Sequence, residues 1–419
     1  MKHIIKTVVI FAVNVLLKWF SFFVHKNKAK LFCVPDLACK DNCVDIINYT
    51  ADNTLSFINY LLIHYNKDKL KLFLVCFEKK RLQEYINYVN SFQNKNIEIQ
   101  FIYWECKLEC NRRLSLKDYW IYYFSFFQSK FIITSDATMR FLFKRDSQIY
   151  ISLNYFTPFK LDRLKIDTTT KIEYVISTSQ LSSQIVSGSC KVPIENFRVL
   201  GFSRNDNIFN PRYSREKLIE MLELNYVVQK IIAYTPTHKD YERNRSHKRN
   251  ILGYEETYDE LNKLLETEKA ILIVKLHPKQ NKGCLIELNQ SRVIIYEPNY
   301  QYTLYDILPY TDVMLTDYTS TYFDFLLTQR PVIFNFFDKD IYETTRGFSY
   351  DPIESVCAGI IVRNSVELLS AIKTCLTNSD DRYAKQRCFI NALLNKYHDG
   401  NSSKRILDFF EKDIKQQKS

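Results

Sequence analysis

The chain has 419 residues, 46% of them hydrophobic, enough to bury a large core and to fill two domains. Its formal charge of +11 suits an acidic partner such as a nucleotide, a phosphate polymer or an anionic membrane surface, and no aromatic-basic motif argues for nucleic acid. Eleven cysteines scattered through apolar segments, with no His or Cys cluster at zinc spacing, read as reduced core thiols rather than a disulfide framework or a metal site.

At the amino end, Lys2, His3 and Lys6 precede an apolar run at Val8–Leu17. Lys18 interrupts it, Trp19-Phe20-Ser21-Phe22-Phe23-Val24 follows, and Lys26, Lys28 and Lys30 close it. The clean run is shorter than the roughly 20 residues a spanning helix needs. No small-residue cleavage site follows. Residues 1–30 are therefore expected to form an aromatic, Lys-flanked helix lying in a membrane interface; a signal anchor with a snorkelling Lys18 is the competing reading.

From Leu31 a βα rhythm begins. Strands are predicted at Leu31–Pro35, Lys71–Cys76, Ile97–Tyr103, Phe131–Thr134, Gln148–Leu153, Tyr174–Ser177 and Phe197–Gly201, with helices such as Thr54–Tyr65 and Arg81–Gln93 between them. The polar, turn-rich stretch from Ser203 to Pro211 marks a domain boundary. The rhythm restarts with strands at Lys230–Tyr234, Ala270–Leu276 and Val293–Tyr296, a basic loop at Tyr241–Asn250 and a helix at Tyr254–Glu266. Asp312–Asn335 then reads as strand (Val313–Thr316), turn, helix (Tyr318–Leu327) and strand (Val332–Phe334), with Arg330-Pro331 as the stop. Ile360–Val362, Ser365–Leu376 and a final helix, Ser402–Gln416, complete the order.

Alternation of this kind predicts an α/β protein of GT-B-like form, two Rossmann-like domains facing a cleft. The expected divisions are a membrane-associating segment at 1–30, an acceptor-side domain at 31–205, a nucleotide-donor domain at 206–395, and a helix at 396–419 that returns to the first domain.

Turns that follow strands in the second half carry Lys239, Lys275, Lys279 and Arg346, the hydroxyls of Thr237, Thr319, Ser320 and Thr321, and the imidazole of His277. Cations, hydroxyls and free helix-start amides suit a diphosphate, and a His can donate to a leaving phosphate. The competing reading of Asp317, Thr319 and Ser320 is plain N-capping, and that of His277 a buried structural imidazole. No Gly-rich Walker or dinucleotide loop is present. No carboxylate pair stands out as a ligand set, so no metal site or cofactor is expected, although Mg²⁺ on the diphosphate stays compatible with the pattern.

The motifs YTPTHKD, VKLHP and LTDYTSTYFDFLLTQRPVIF, with the weaker GFSRND and RGFSYD, resemble in order those of the CDP-glycerol glycerophosphotransferase family, which includes teichoic-acid primases and polymerases. The resemblance implies transfer of glycerol-phosphate or a related polyol-phosphate from a CDP-polyol to an acceptor hydroxyl, with release of CMP. It further implies a lipid-linked or polymer acceptor at the cytoplasmic face of the membrane, in teichoic-acid or capsule synthesis. By position, His277 would assist the phosphate or leaving group, and Thr237, Lys239, Thr319 and Ser320 would hold the donor diphosphate. Asp324 would orient the donor or the turn, with helix–helix hydrogen bonding as its alternative; Arg204 falls on the acceptor side or cleft, or ties the domains together. The chain departs from the family at the acceptor motif Trp-His-Gly-Thr-Pro-Leu-Lys, which here reads Asn154-Tyr155-Phe156-Thr157-Pro158-Phe159-Lys160. Thr157, Pro158 and Lys160 remain, but Tyr155 replaces the histidine that serves as the family's proposed base, and a phenol with a pKa near 10 is a weak base at neutral pH. A cation such as Lys160 could depress it, or the base lies elsewhere. Two other readings are a GT-B glycosyltransferase with another nucleotide-activated donor and a non-catalytic nucleotide- or polymer-binding relative.

Overall fold

The computed structural model describes residues 15–24, 27–34, 52–67, 69–76, 79–103, 116–135, 144–154, 157, 159, 172–237, 252–254, 258–276, 292–296, 302–377 and 381–416. The apolar runs become strands of two separate sheets. The first contains β1 (Asn27–Val34), β2 (Leu70–Cys76), β3 (Ile97–Tyr103), β4 (Ser129–Thr134), β5 (Ile149–Ser152), β6 (Tyr174–Ser177) and β7 (Phe197–Val199). The second contains β8 (Lys230–Thr235), β9 (Ala270–Val274), β10 (Val293–Ile295), β11 (Val313–Thr316), β12 (Val332–Asn335) and β13 (Ile360–Val362). Their orders are β3-β2-β1-β4-β5-β6-β7 and β10-β9-β8-β11-β12-β13, and every neighbouring pair is parallel. Each order reverses once, between β1 and β4 and between β8 and β11. Open parallel sheets bind ligands outside the carboxyl ends of the strands at such a reversal.

Both faces of each sheet are covered, as near-continuous apolar strands require. Leu72 and Leu74 of β2 pack under Leu55, Leu61 and Tyr85 on one side, while Phe73 and Val75 meet Tyr122, Phe126 and Phe127 on the other. Alternate residues of β11 divide in the same way: Met314 joins Tyr322, Phe323 and Phe325, and Leu315 joins Leu261, Leu265 and Leu368. The described Cys76, Cys190 and Cys357 are buried within these layers.

The helix Ser402–Gln416 belongs to the first sheet's core. Ile406 and Phe410 lie in the same cluster as Leu55 and Phe131, with the Phe410 ring 5.6 Å from Phe57 and 5.3 Å from Phe131. Its start is capped from outside, because Asp206 accepts from Ser402 N and Ser403 N, both at 2.7 Å. Gly201 is needed beside that cap: its φ is +85°, and a Cβ there would lie 2.4 Å from Ser402 Oγ.

Two departures from the predicted extents bear on the layout. β1 begins at Asn27, inside the stretch assigned to the membrane segment. The helix expected over Tyr318–Leu327 is only Thr321–Phe325, continued by a 3-10 turn at Leu326–Thr328 that ends where Gln329 adopts φ 57°. A left-handed residue followed by Pro331 leaves no room for a further helical turn. The basic loop at Tyr241–Asn250 lies outside the described residues.

Candidate active site

The turn after β11 is locked before it can bind anything. Asp317 is fully buried, and its carboxylate accepts from Thr237 N at 2.9 and 3.0 Å, from Thr237 Oγ1 at 2.7 Å and from Tyr318 N at 2.6 Å. Since β8 and β11 flank the reversal of the second sheet, this clamp joins the two turns that straddle it. Thr237 therefore spends its hydroxyl and its amide on Asp317. Just below, the buried hydroxyls of the cross-strand partners Thr235 and Thr316 have no hydrogen-bond partner.

Thr319, Ser320 and Thr321 follow, all half-buried. Ser320 is the N-cap residue of Thr321–Phe325, yet its side chain makes no capping bond, and Thr319 Oγ1 lies 3.4 Å from Thr321 Oγ1. Plain capping thus does not account for these hydroxyls. Behind them, Tyr318 donates to Asp338 at 3.0 Å and stacks on Tyr342 at 4.2 Å, which ties this turn to the segment before Arg346-Gly347-Phe348.

Asp324 is placed elsewhere, inside a buried tie between the halves of the chain. Arg204 Nη2 donates to it at 2.7 Å, Asn205 Nδ2 at 3.1 Å and the Tyr305 hydroxyl at 2.6 Å. The guanidinium also lies over the Phe202 and Tyr305 rings. The tie runs on into the first sheet: Arg204 N donates to Asn53 Oδ1 at 3.2 Å, and Asn53 Nδ2 donates to the carbonyls of Leu153 and Asn154, where the acceptor-motif stretch begins. Asn154 has φ 55°, a left-handed conformation that Asn tolerates better than most residues. A second tie runs from Tyr88 through Arg212, whose Nη1 donates to Tyr88 at 2.8 Å and whose Nε donates to Asp306 at 2.7 Å. Phe159, from the acceptor-motif stretch, is buried among Tyr322, Phe323 and Phe334 of the second half.

Of the residues expected at the site, His277, Lys239, Tyr155 and Lys160 lie outside the described residues. Their surroundings are partly fixed: Lys275 N donates to Tyr234 O at 2.9 Å, which holds the exit of β9 beside β8. Lys275 and Asp52 interact across the two halves, and Arg204 acts on both. Burial lowers the Lys275 pKa, with Asp52 opposing; burial raises the Asp52 pKa, with Lys275 and Arg204 opposing. Both side chains nonetheless keep some exposure, as groups walled in by protein but open to solvent do. Sequence reading passed over Asp52, Asn53, Asn205 and Tyr305 as site residues. The one local signal was the Asp52-Asn53 pair at a helix start. Among the described residues no group of three or more His, Cys, Asp or Glu could hold a metal ion.

Two all-parallel sheets, joined by a charged tie near the carboxyl ends of their strands and with a hydroxyl-rich turn at the second reversal, define a two-domain α/β protein of GT-B-like form. The chain belongs to the CDP-glycerol:poly(glycerophosphate) glycerophosphotransferase family, whose profile matches residues 52–412. It is 32% identical over 202 residues to the teichoic acid glycerol-phosphate primase of Bacillus subtilis, a match covering 48% of this chain and 49% of that protein. It is 25% identical over 325 residues to the teichoic acid poly(glycerol phosphate) polymerase of Bacillus spizizenii, covering 71% of this chain and 77% of that one. The chain thus spans about half the length of the first of these relatives. In fold it is similar to the wall teichoic acid polymerase TagF, with a TM-score of 0.71 and 20% identity over 99% of this chain and 96% of that one.

Proposed function

We propose that the chain transfers glycerol-phosphate, or a related polyol-phosphate, from a CDP-polyol to an acceptor hydroxyl and releases CMP, in the synthesis of a cell-surface polymer. The observation that carries this is the turn Asp317–Thr321 at the second reversal: a buried carboxylate fixes its frame, and the hydroxyls of Thr319 and Ser320 remain uncommitted to capping. The donor diphosphate lies against those hydroxyls, with Lys239 and His277, from the turns after β8 and β9, supplying positive charge and a proton donor to the departing phosphate. Thr237 contributes by positioning, through Asp317. Arg204 and Asp324 hold the two domains at a fixed spacing and do not touch the donor.

The acceptor is lipid-linked or polymeric and is met at a membrane surface. Residues 15–23 form a helix on which Trp19 is 65% and Phe23 81% exposed, with Leu16 and Phe22 exposed beside them. Exposed Trp120, 4.6 Å from Phe20, extends the same aromatic surface from the first domain. Aromatic side chains presented this way, on a chain of charge +11, suit the headgroup region of an anionic bilayer. No helix among the described residues is long and apolar enough to cross a membrane.

The test is CMP release by detergent-purified protein from CDP-glycerol and from CDP-ribitol, with and without a lipid-linked acceptor. Acceptor-dependent CMP is the expected result, and the His277→Ala variant should lower it by roughly 10² or more. No CMP from either donor with an authentic acceptor present would refute the reading.

A further inference from the structure

Asp52 opens the helix Asp52–His64 and is half-buried. Its neighbour Asn53 donates to the Asn154 carbonyl, at the start of the acceptor-motif stretch. Asp52 also feels the charge of Lys275, which follows β9 two positions before residue 277 in the sequence. The remaining ionisable groups that act on it are Arg204 from the turn after β7, Tyr305 and Asp306 from the helix Leu304–Ile307, Asp324 from Thr321–Phe325, and Tyr296 after β10. Asp52 is thus a half-buried carboxylate next to the residue that ties Asn154 to Arg204, within electrostatic reach of Lys275 at the exit of β9.

We propose that Asp52 is the general base for the acceptor hydroxyl, filling the role that the family pattern gives to a histidine where this chain carries Tyr155. The inference rests on the polyol-phosphate transfer reading above. In the step, Asp52 Oδ takes the hydroxyl proton as the acceptor oxygen bonds to the phosphorus that carries the polyol. The bond from that phosphorus to the oxygen bridging to CMP breaks, and its electron pair leaves on the CMP phosphate. The proton then passes from Asp52 to water. Burial gives the carboxylate more proton affinity than a solvated aspartate, while Lys275 and Arg204 favour its anion. A phenol at position 155 would be protonated under the same conditions.

The experiment measures acceptor-dependent CMP release across pH for the full chain, using whichever CDP-polyol the unaltered protein accepts. Asp52→Asn should lower kcat by about 10²- to 10⁴-fold and leave donor affinity, read by CDP-polyol titration, unchanged. Asp52→Glu should recover part of the rate. Lys275→Gln removes a charge that lowers the Asp52 pKa, so the acid limb of the pH profile should move to higher pH. A merely structural role for Asp52 would leave that limb in place. Near-normal kcat in Asp52→Asn, or an acid limb that Lys275→Gln does not move, would overturn the assignment. Should Asp52→Asn fail to fold, the Lys275→Gln limb decides alone. An active unaltered protein with an unaffected Asp52→Asn variant removes only the base, whereas an unaltered protein that releases no CMP removes the transfer reading and this inference together.

Discussion

Asp317 and Asp324 sit seven positions apart in one motif and are both buried, yet they do different work. Asp317 binds turn to turn within the second domain, and Asp324 binds one domain to the other through Arg204 and Asn205, with Tyr305 of its own half as a third donor. Removing one partner of a buried pair leaves the other charged and unsolvated, so Asp324→Ala should cost about 3–5 kcal/mol in denaturant unfolding. Replacing both, as Arg204→Met with Asp324→Leu, should cost less than the single change, because no orphaned charge remains. Such roles are hidden from sequence: nothing near Asp324 signals that Arg204 and Tyr305 will converge on it. The resemblance led to a donor-side expectation for Asp324 with hydrogen bonding as its rival, and only tertiary placement shows the three donors that fill its carboxylate. The hydroxyl turn, by contrast, was legible because strand, turn, helix and stop are all local signals.

At the level of elements, strands were read well where both faces are apolar, since a short buried run admits few other conformations. β3, β6, β11 and β13 have the predicted limits. Helices were read less evenly. Gln180–Cys190, rich in Ser, shows little of a helical pattern, yet Ser179 caps it by accepting from Ser182 N and Val186 and Cys190 anchor it to the first sheet. Leu116–Gln128 carries aromatic residues around much of its circumference and so lacks a clear polar face. The closing helix depends on a few large side chains, and Phe410→Ala should lower stability by about 3–5 kcal/mol in thermal or denaturant unfolding. The helix at 15–23 should behave in the opposite way. Trp19→Ser with Phe23→Ser should leave the unfolding temperature almost unchanged while lowering sedimentation with anionic vesicles several-fold.

For the whole molecule, the abundance of tyrosine has a consequence for pH. Burial pushes Tyr88 up to about 12, and raises Tyr234, Tyr296 and Tyr305 well above their ordinary value of 10.0. The folded protein thus keeps protons that the unfolded chain gives up near pH 10. Their contribution to stability is complete below that pH and should fall as pH rises through the folded-state values. Unfolding temperature measured against pH should drop steeply above about 10, and the part of the tyrosinate absorbance that belongs to the buried rings should appear together with unfolding rather than before it.

The return of Ser402–Gln416 to the first sheet also sets an order of events during synthesis. The strands of that sheet and the helix Asp52–His64 leave the ribosome first, but the face that Ile406 and Phe410 cover stays open until the helix Ser402–Gln416 has followed the whole second sheet. The second domain, whose clusters draw on residues from 159 to 394, can close before then. Translation therefore produces a molecule whose second sheet can mature first, while the first waits, sticky and incomplete, for a segment made after it.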